Sequence, residues 1–208
     1  TSSSSKRSCA SAVTRGQAPT GAPIRPLLLR GGTILSLDAV ASVHPNTDVL
    51  LEAGRIAALG QGLVAPANAR VLDVTGHLLL PGLIQGHIHL GQTLFRGLAE
   101  ARALLPWLRE RIWPLEAAHD DETAYCSGRL GAAECLLGGT TAIQEIGLGP
   151  GIEGLLAAIA ESGLRATAGK CLMDEGSGLP AGLCEPATAS LAHAVELGER
   201  FERAGGGR

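Results

Sequence analysis

The sequence predicts an α/β protein in which a short β-rich segment, reading as a small β-sandwich, precedes βα units that carry a parallel sheet. Three observations carry that class. Residues 26–81 hold short apolar runs broken by Gly and Asn turns. After Pro81-Gly82, apolar strands alternate with amphipathic stretches, the pattern of βα units. Apolar residues make up 45% of the chain against 18% charged, enough to offset the entropy of folding.

Residues 1–25, rich in Ser, Ala, Pro and Gly with no acidic residue, predict a disordered tail. In 26–81, the runs LLLRGGTILSLD, DVLLEAGRIAALG and ARVLDVTGHLLL predict paired strands, with Gly54 set where a hairpin turns. Residues 82–208 form a second domain. Its first strand is expected over Leu83 to Leu90, followed by helical sequence through Trp107 and Trp113. Cys126, Leu130, Ala133 and Leu137 then recur at the spacing of one helical face, with Asp120, Asp121 and Glu122 at its start and Gly138-Gly139 at its end. A second strand is expected from Thr140 to Ile146. A helix marked by Ile152, Leu155, Leu156 and Ile159 comes next, then a third strand near Arg165 to Met173. A last helix begins around Thr188 or Ser190 and carries Leu191, Val195 and Phe201.

Composition removes several functions. A net charge of −3 gives no footprint for a polyanion, and 2% aromatic residues give no stacking platform for single-stranded nucleic acid. No apolar run approaches the roughly 20 residues of a membrane span. The five cysteines lack CxxC spacing, which predicts buried free thiols in a reducing cytoplasm. Neither nucleic acid nor a membrane is therefore the expected partner.

The sharpest chemical signal is Gly86-His87-Ile88-His89. Side chains two apart on a strand share a face, so two imidazoles roughly 7 Å apart along a rise of about 3.3 Å per residue can converge on one metal ion. Ile84, Ile88 and Leu90 then point the other way, toward covering helices. The other histidines are read as structural: His44 and His77 in turns, His119 and His193 on helical surfaces. Neither a phosphate loop nor a GxSxG elbow is present.

The stretch LLLPGLIQGHIHLGQTLFRG resembles the entry motif of the amidohydrolase superfamily. IWPLEAAHDDETAY, LLGGTTAIQEIG and GKCLMDEGSGLPAGLCE are similar to the branch that deaminates or dechlorinates aminated heterocycles. The resemblance covers about residues 26–204. It implies that the βα units are the first three of an incomplete (β/α)8 barrel, with His87 and His89 as ligands of one divalent ion, zinc or iron. It also implies that Glu116 faces the hydroxyls of a ribose and that Trp107 and Trp113 lie near the pocket mouth. Glu145 stands where the family more often has Asp. Lys170 falls on the third strand, not the fourth, so it is not read as a carboxylated lysine.

The implied reaction is metal-assisted hydrolytic deamination of an adenosine-like heterocycle. Triazine dechlorination, cytosine or guanine deamination and a non-catalytic binding remnant are the alternatives. The 128 residues from Pro81 to Arg208 compare with about 250 for a closed barrel. The chain is thus expected to be an N-terminal fragment, inactive alone, whose catalytic acid and base lie on later strands; the full-length protein is compatible with an oligomer.

Overall fold

The computed structural model describes residues 25–205. The tail expected over 1–25 lies outside them, Arg25 excepted. The chain divides into two compact units between Leu80 and Pro81.

The first unit is a five-stranded sheet. β1 (Leu27–Leu35) pairs antiparallel with β2 (Val43–Glu52), and β2 with β3 (Arg55–Gly60). The β2–β3 hairpin turns at Ala53 and Gly54, both at positive φ, which matches the strand twist as the sequence led us to expect. On its other edge β1 takes two short parallel partners, β4 (Arg70–Asp73) along Leu27–Arg30 and β5 (Leu78–Leu79) along Thr33–Ile34. Between those partners Gly31 bulges. Its N–H and that of Leu63 donate to the two oxygens of the buried Asp48, each at 2.9 Å. Among the described residues the expected sandwich is a single sheet, in which Leu28 and Ile34 of β1 and Val49 of β2 are buried together with Val74 just after β4.

The second unit carries a parallel sheet in the order β6 (Leu83–Ile88), β7 (Thr140–Glu145), β8 (Arg165–Ala168). The first strand stops at Ile88, two residues before the expected end, because Leu90–Phe95 winds into a 3-10 helix. The third stops at Ala168, five residues early. Its partner β7 ends at Glu145, so the chain beyond has no ladder to join, and Cys171 N–H donates instead to Leu148 O in the loop after β7.

Helix α1 (Leu104–Trp107), a π turn (Leu108–Ile112) and α2 (Trp113–Glu116) are continuous, with the Trp113 N–H reaching back five residues to Leu108 O. α3 (Asp121–Leu137) begins in a capping box between Asp120 and Thr123. α4 (Ile152–Ser162) buries Ile152, Leu155 and Ile159, as the spacing predicts. α5 spans Ala187–Gly205. No described helix is long and apolar enough to cross a membrane.

Two amphipathic assignments are corrected. Cys126, Leu130, Ala133 and Leu137 lie on the exposed side of α3, Leu137 at 90% exposure. The buried side is Ala124, Ser127, Gly128, Gly131 and Ala132. Close approach decides this: a Cβ on Gly128 would sit 2.9 Å from Leu155 Cδ1, and one on Gly131 2.7 Å from Leu90 Cδ2, so bulky residues cannot occupy the contact. On α5, Leu191 and Val195 are exposed, whereas Ser190 and Leu197 are buried. The thiols of Cys126 and Cys184 are likewise exposed rather than buried, and Cys135 and Cys171 half-buried.

At the α3–α4 contact, a Cβ on Gly154 would stand 1.9 Å from the Asp121 carbonyl oxygen, a backbone atom that cannot swing away. Gly154→Ala is expected to lower unfolding free energy by about 1–3 kcal/mol through overpacking. Gly169→Ala, with open space around its Cβ, is expected to stay within about 0.5 kcal/mol of wild type. Urea midpoints of the two variants check both.

Candidate metal and substrate site

The C-terminal end of β6 delivers the two histidines. Their Nε2 atoms lie 3.2 Å apart, with ring centroids at 4.9 Å and planes at 78°. His87 is exposed and His89 half-buried. Partial burial first, and the neighbouring His87 second, lower the pKa of His89 and so favour its neutral, lone-pair-bearing form. Of the apolar residues expected opposite, Leu90 is fully buried and Ile88 packs on the core, but Ile84 is 77% exposed.

The segment just past the strand, Leu90 to Phe95, is held from several directions. Glu145, at the end of β7 and 3% exposed, accepts the Leu90 N–H on Oε2 at 2.6 Å and the Gly147 N–H on Oε1 at 3.0 Å. Burial is the main cause of its raised pKa, opposed by those two bonds and reinforced by the charge of Glu116. Ser127 of α3, 0% exposed, lies 2.8 Å from Leu90 O and 2.9 Å from Gly91 O. Thr93 Oγ1 donates to Leu90 O at 2.8 Å. His119, expected on a helix surface, is instead buried just before the α3 cap and stacked on Phe95 at 5.0 Å. Its Nε2 lies 2.9 Å from Gly91 O; a carbonyl only accepts, so that nitrogen carries the proton.

Glu116, at the end of α2, is brought to the same segment. Gln92 Nε2 donates to its Oε1 at 2.8 Å, leaving acceptor capacity on the carboxylate. Burial raises the Glu116 pKa against that bond, and the Glu116 charge is felt at both Glu145 and Cys171. Glu116 thus lies within electrostatic reach of Glu145 at the end of β7 and of Cys171 just past β8. Trp107 is half-buried in the helical segment, with no ring or hydrogen-bond contact to the histidine pair among the described residues.

Lys170, just past β8, turns a side chain that is 1% exposed onto Glu185 and Ser190. Its amine therefore ties the β8 loop to the start of α5. His89 borders a cleft of about 620 Å³ that Gln85, Gln92, Arg96 and Glu134 also line, and that Glu116 does not.

Sequence reasoning singled out the histidines, Glu116 and Trp107, and left Glu145, Gln92, His119 and Cys171 without roles. The signal that could have found Glu145 is an acidic residue closing an apolar strand, TTAIQE, where an unpaired carboxylate would be costly to bury.

Two imidazole nitrogens 3.2 Å apart fit a shared cation: ligands at about 2.05 Å from a tetrahedral ion stand roughly 3.3 Å from each other. Among the described residues no group of three or more His, Cys, Asp or Glu side chains converges in that way. The parallel sheet with histidines at its C-terminal end defines a class, and comparison with known proteins supplies the family. A profile of the amidohydrolase family matches residues 78–205, more than half of the chain, and the chain belongs to that family.

The chain is 40% identical over 122 residues to a protein of Symbiobacterium thermophilum named 5-methylthioadenosine/S-adenosylhomocysteine deaminase, covering 58% of this chain and 28% of that one. A Halobacterium salinarum protein of the same name is 34% identical over 184 residues, covering 88% and 40%. Among solved structures, an adenosine deaminase from Xanthomonas campestris with bound zinc superposes at a TM-score of 0.75 and 30% identity, over 86% of this chain and 40% of that one. A triazine hydrolase variant superposes at 0.74 and 24% identity over 85% and 43%, a likeness of fold alone. The chain spans well under half the length of these relatives.

A carboxyl whose folded pKa exceeds the usual 4.5 holds protons that the unfolded chain has released, so its stabilising contribution is complete below about 4.5 and lost as pH rises through the raised value. Glu116→Gln removes that loss. Relative to wild type, the variant's urea midpoint is expected to rise progressively from pH 4.5 upward and to keep a constant offset below it; a pH-independent offset throughout would contradict the burial effect.

Proposed function

We propose that this chain supplies the metal-binding strand and a hydroxyl-accepting carboxylate to a divalent-metal hydrolase that deaminates an adenosine-like nucleoside. The observation that carries the reading is the His87–His89 pair, two nitrogens at ligand spacing at the end of a parallel strand. The names of the relatives, and the zinc bound in the Xanthomonas structure, support it. In this reading the three parallel strands are the first three βα units of a (β/α)8 barrel, whose active sites gather at this end of the strands.

His87 and His89 would hold the ion. A divalent ion there supplies Lewis-acid activation of water for attack on an electrophilic ring carbon. The chain's own residues do the rest of what is visible. The depressed pKa of His89 keeps its nitrogen free of a competing proton. Glu116, oriented by Gln92, accepts hydrogen bonds from paired sugar hydroxyls through its remaining lone pairs. Two imidazoles fall short of the usual three protein ligands of a catalytic zinc site, so the chain alone is expected to bind zinc without releasing ammonia.

Activity is tested in a hybrid in which residues 26–205 replace the matching part of the Halobacterium salinarum relative. Ammonia release from 5′-deoxyadenosine is expected, with no chloride release from a chlorotriazine. In the hybrid, Glu116→Ala is expected to raise KM for the nucleoside about tenfold or more, the scale of a hydrogen bond to a charged acceptor. Chloride release without ammonia would defeat the assignment.

A further inference from the structure

The histidine pair is usable only if two imidazoles at the end of a strand hold a fixed separation, and nothing in a strand terminus guarantees that. Among the described residues β6 pairs with β7 alone, and that pairing, shifted in register after Leu83 and after Gln85, closes at Ile88↔Glu145. His89 itself has left the ladder, with backbone angles of φ −128° and ψ 81° that belong to neither the strand nor the 3-10 helix. The next N–H, that of Leu90, is bound by the Glu145 carboxylate and not by a backbone carbonyl.

We infer that Glu145 is a positioning residue for the His87–His89 pair, its carboxylate acting as a rigid brace between the ends of β6 and β7. The inference rests on the reading of those histidines as metal ligands. One oxygen takes Leu90 N–H on β6's extension and the other takes Gly147 N–H on β7's, so both chain ends are fixed to one planar group. The backbone of Glu145 reaches the third strand as well, its carbonyl accepting the Gly169 N–H at 3.3 Å. The brace cannot drift, because Glu145 is buried in the central strand while the carbonyls of Leu90 and Gly91 are gripped from the far side by Ser127, Thr93 and His119. A side chain that offers two acceptors to two N–H donors is required here. Glutamine supplies one acceptor and places its own amide donors against the other N–H.

Zinc titration of the 208-residue chain at pH 7, read by calorimetry, tests this together with amide hydrogen exchange in the metal-free protein. His87→Ala and His89→Ala are expected to abolish tight zinc binding. Glu145→Gln is expected to raise the zinc Kd about tenfold, within the range seen when groups behind metal ligands are altered, and to speed exchange at the Leu90 and Gly147 amides. Ile159→Val, which trims the same core on α4 away from the brace, is expected to lower the thermal midpoint while leaving the zinc Kd within about twofold.

If Glu145→Gln does not fold, Glu145→Asp keeps the charge but withdraws it by a methylene, and the same weakening is expected. A zinc Kd unchanged in either Glu145 variant, with His87→Ala still abolishing binding, overturns the brace and leaves the metal reading standing. Zinc binding indifferent to both histidine variants overturns the metal reading and the brace with it.

Discussion

A carboxylate in the middle of a three-stranded sheet is an expensive thing to bury, and the second unit is organised around making that burial tolerable. Glu145 loses water on entering the strand end, which by itself costs several kcal/mol for an ionised group. Two backbone N–H groups return part of that, and they come from two different strand extensions. Satisfying the charge therefore imposes a geometry: β6 and β7 must end side by side, with the turn after His89 folded back far enough to present Leu90. The 3-10 helix, the buried Ser127 and the inward His119 all complete the same requirement from the opposite side.

That requirement also explains α3. To bring Ser127 within reach of Leu90 and Gly91, the helix must lie close to the 3-10 turn and to α4 together. Only Ala, Ser and Gly on the contact face allow it, which is why the larger apolar residues are turned outward. Periodicity could not reveal this. The spacing of Cys126, Leu130, Ala133 and Leu137 is a true helical stripe, so the helix itself was legible; which stripe is buried depends on separation between elements, a tertiary quantity. The same holds for Leu191 and Val195 on α5. On α4, by contrast, the bulky stripe is the buried one, since Ile152, Leu155 and Ile159 fill the core that the small residues of α3 leave open.

Of the site, the pair of histidines was legible because strand alternation alone places His87 and His89 on one side. Their convergence to 3.2 Å was not, since it depends on the backbone leaving the strand at His89. Glu116 was singled out by resemblance alone, and its link to Gln92 joins segments 24 residues apart that no local pattern connects. Glu145 and His119 escaped because each does its work through backbone groups of other segments, and backbone partners leave no trace in residue identity. Strand ends were overestimated for a related reason: apolar character continues past Ile88 and Ala168, whereas the ladder stops where the partner strand stops.

The pairing register carries a consequence for how the sheet comes together and apart. Leu83 of β6 is matched with Thr140, 57 positions along, while Ala142 of β7 is matched with Arg165, only 23 along. Closing the longer loop costs about 0.8 kcal/mol more in chain entropy. β7, α4 and β8 form the cheaper closure, and the strand with the histidines is the costlier one to dock. The histidine pair is thus carried by the strand whose docking must overcome the larger loss of chain entropy.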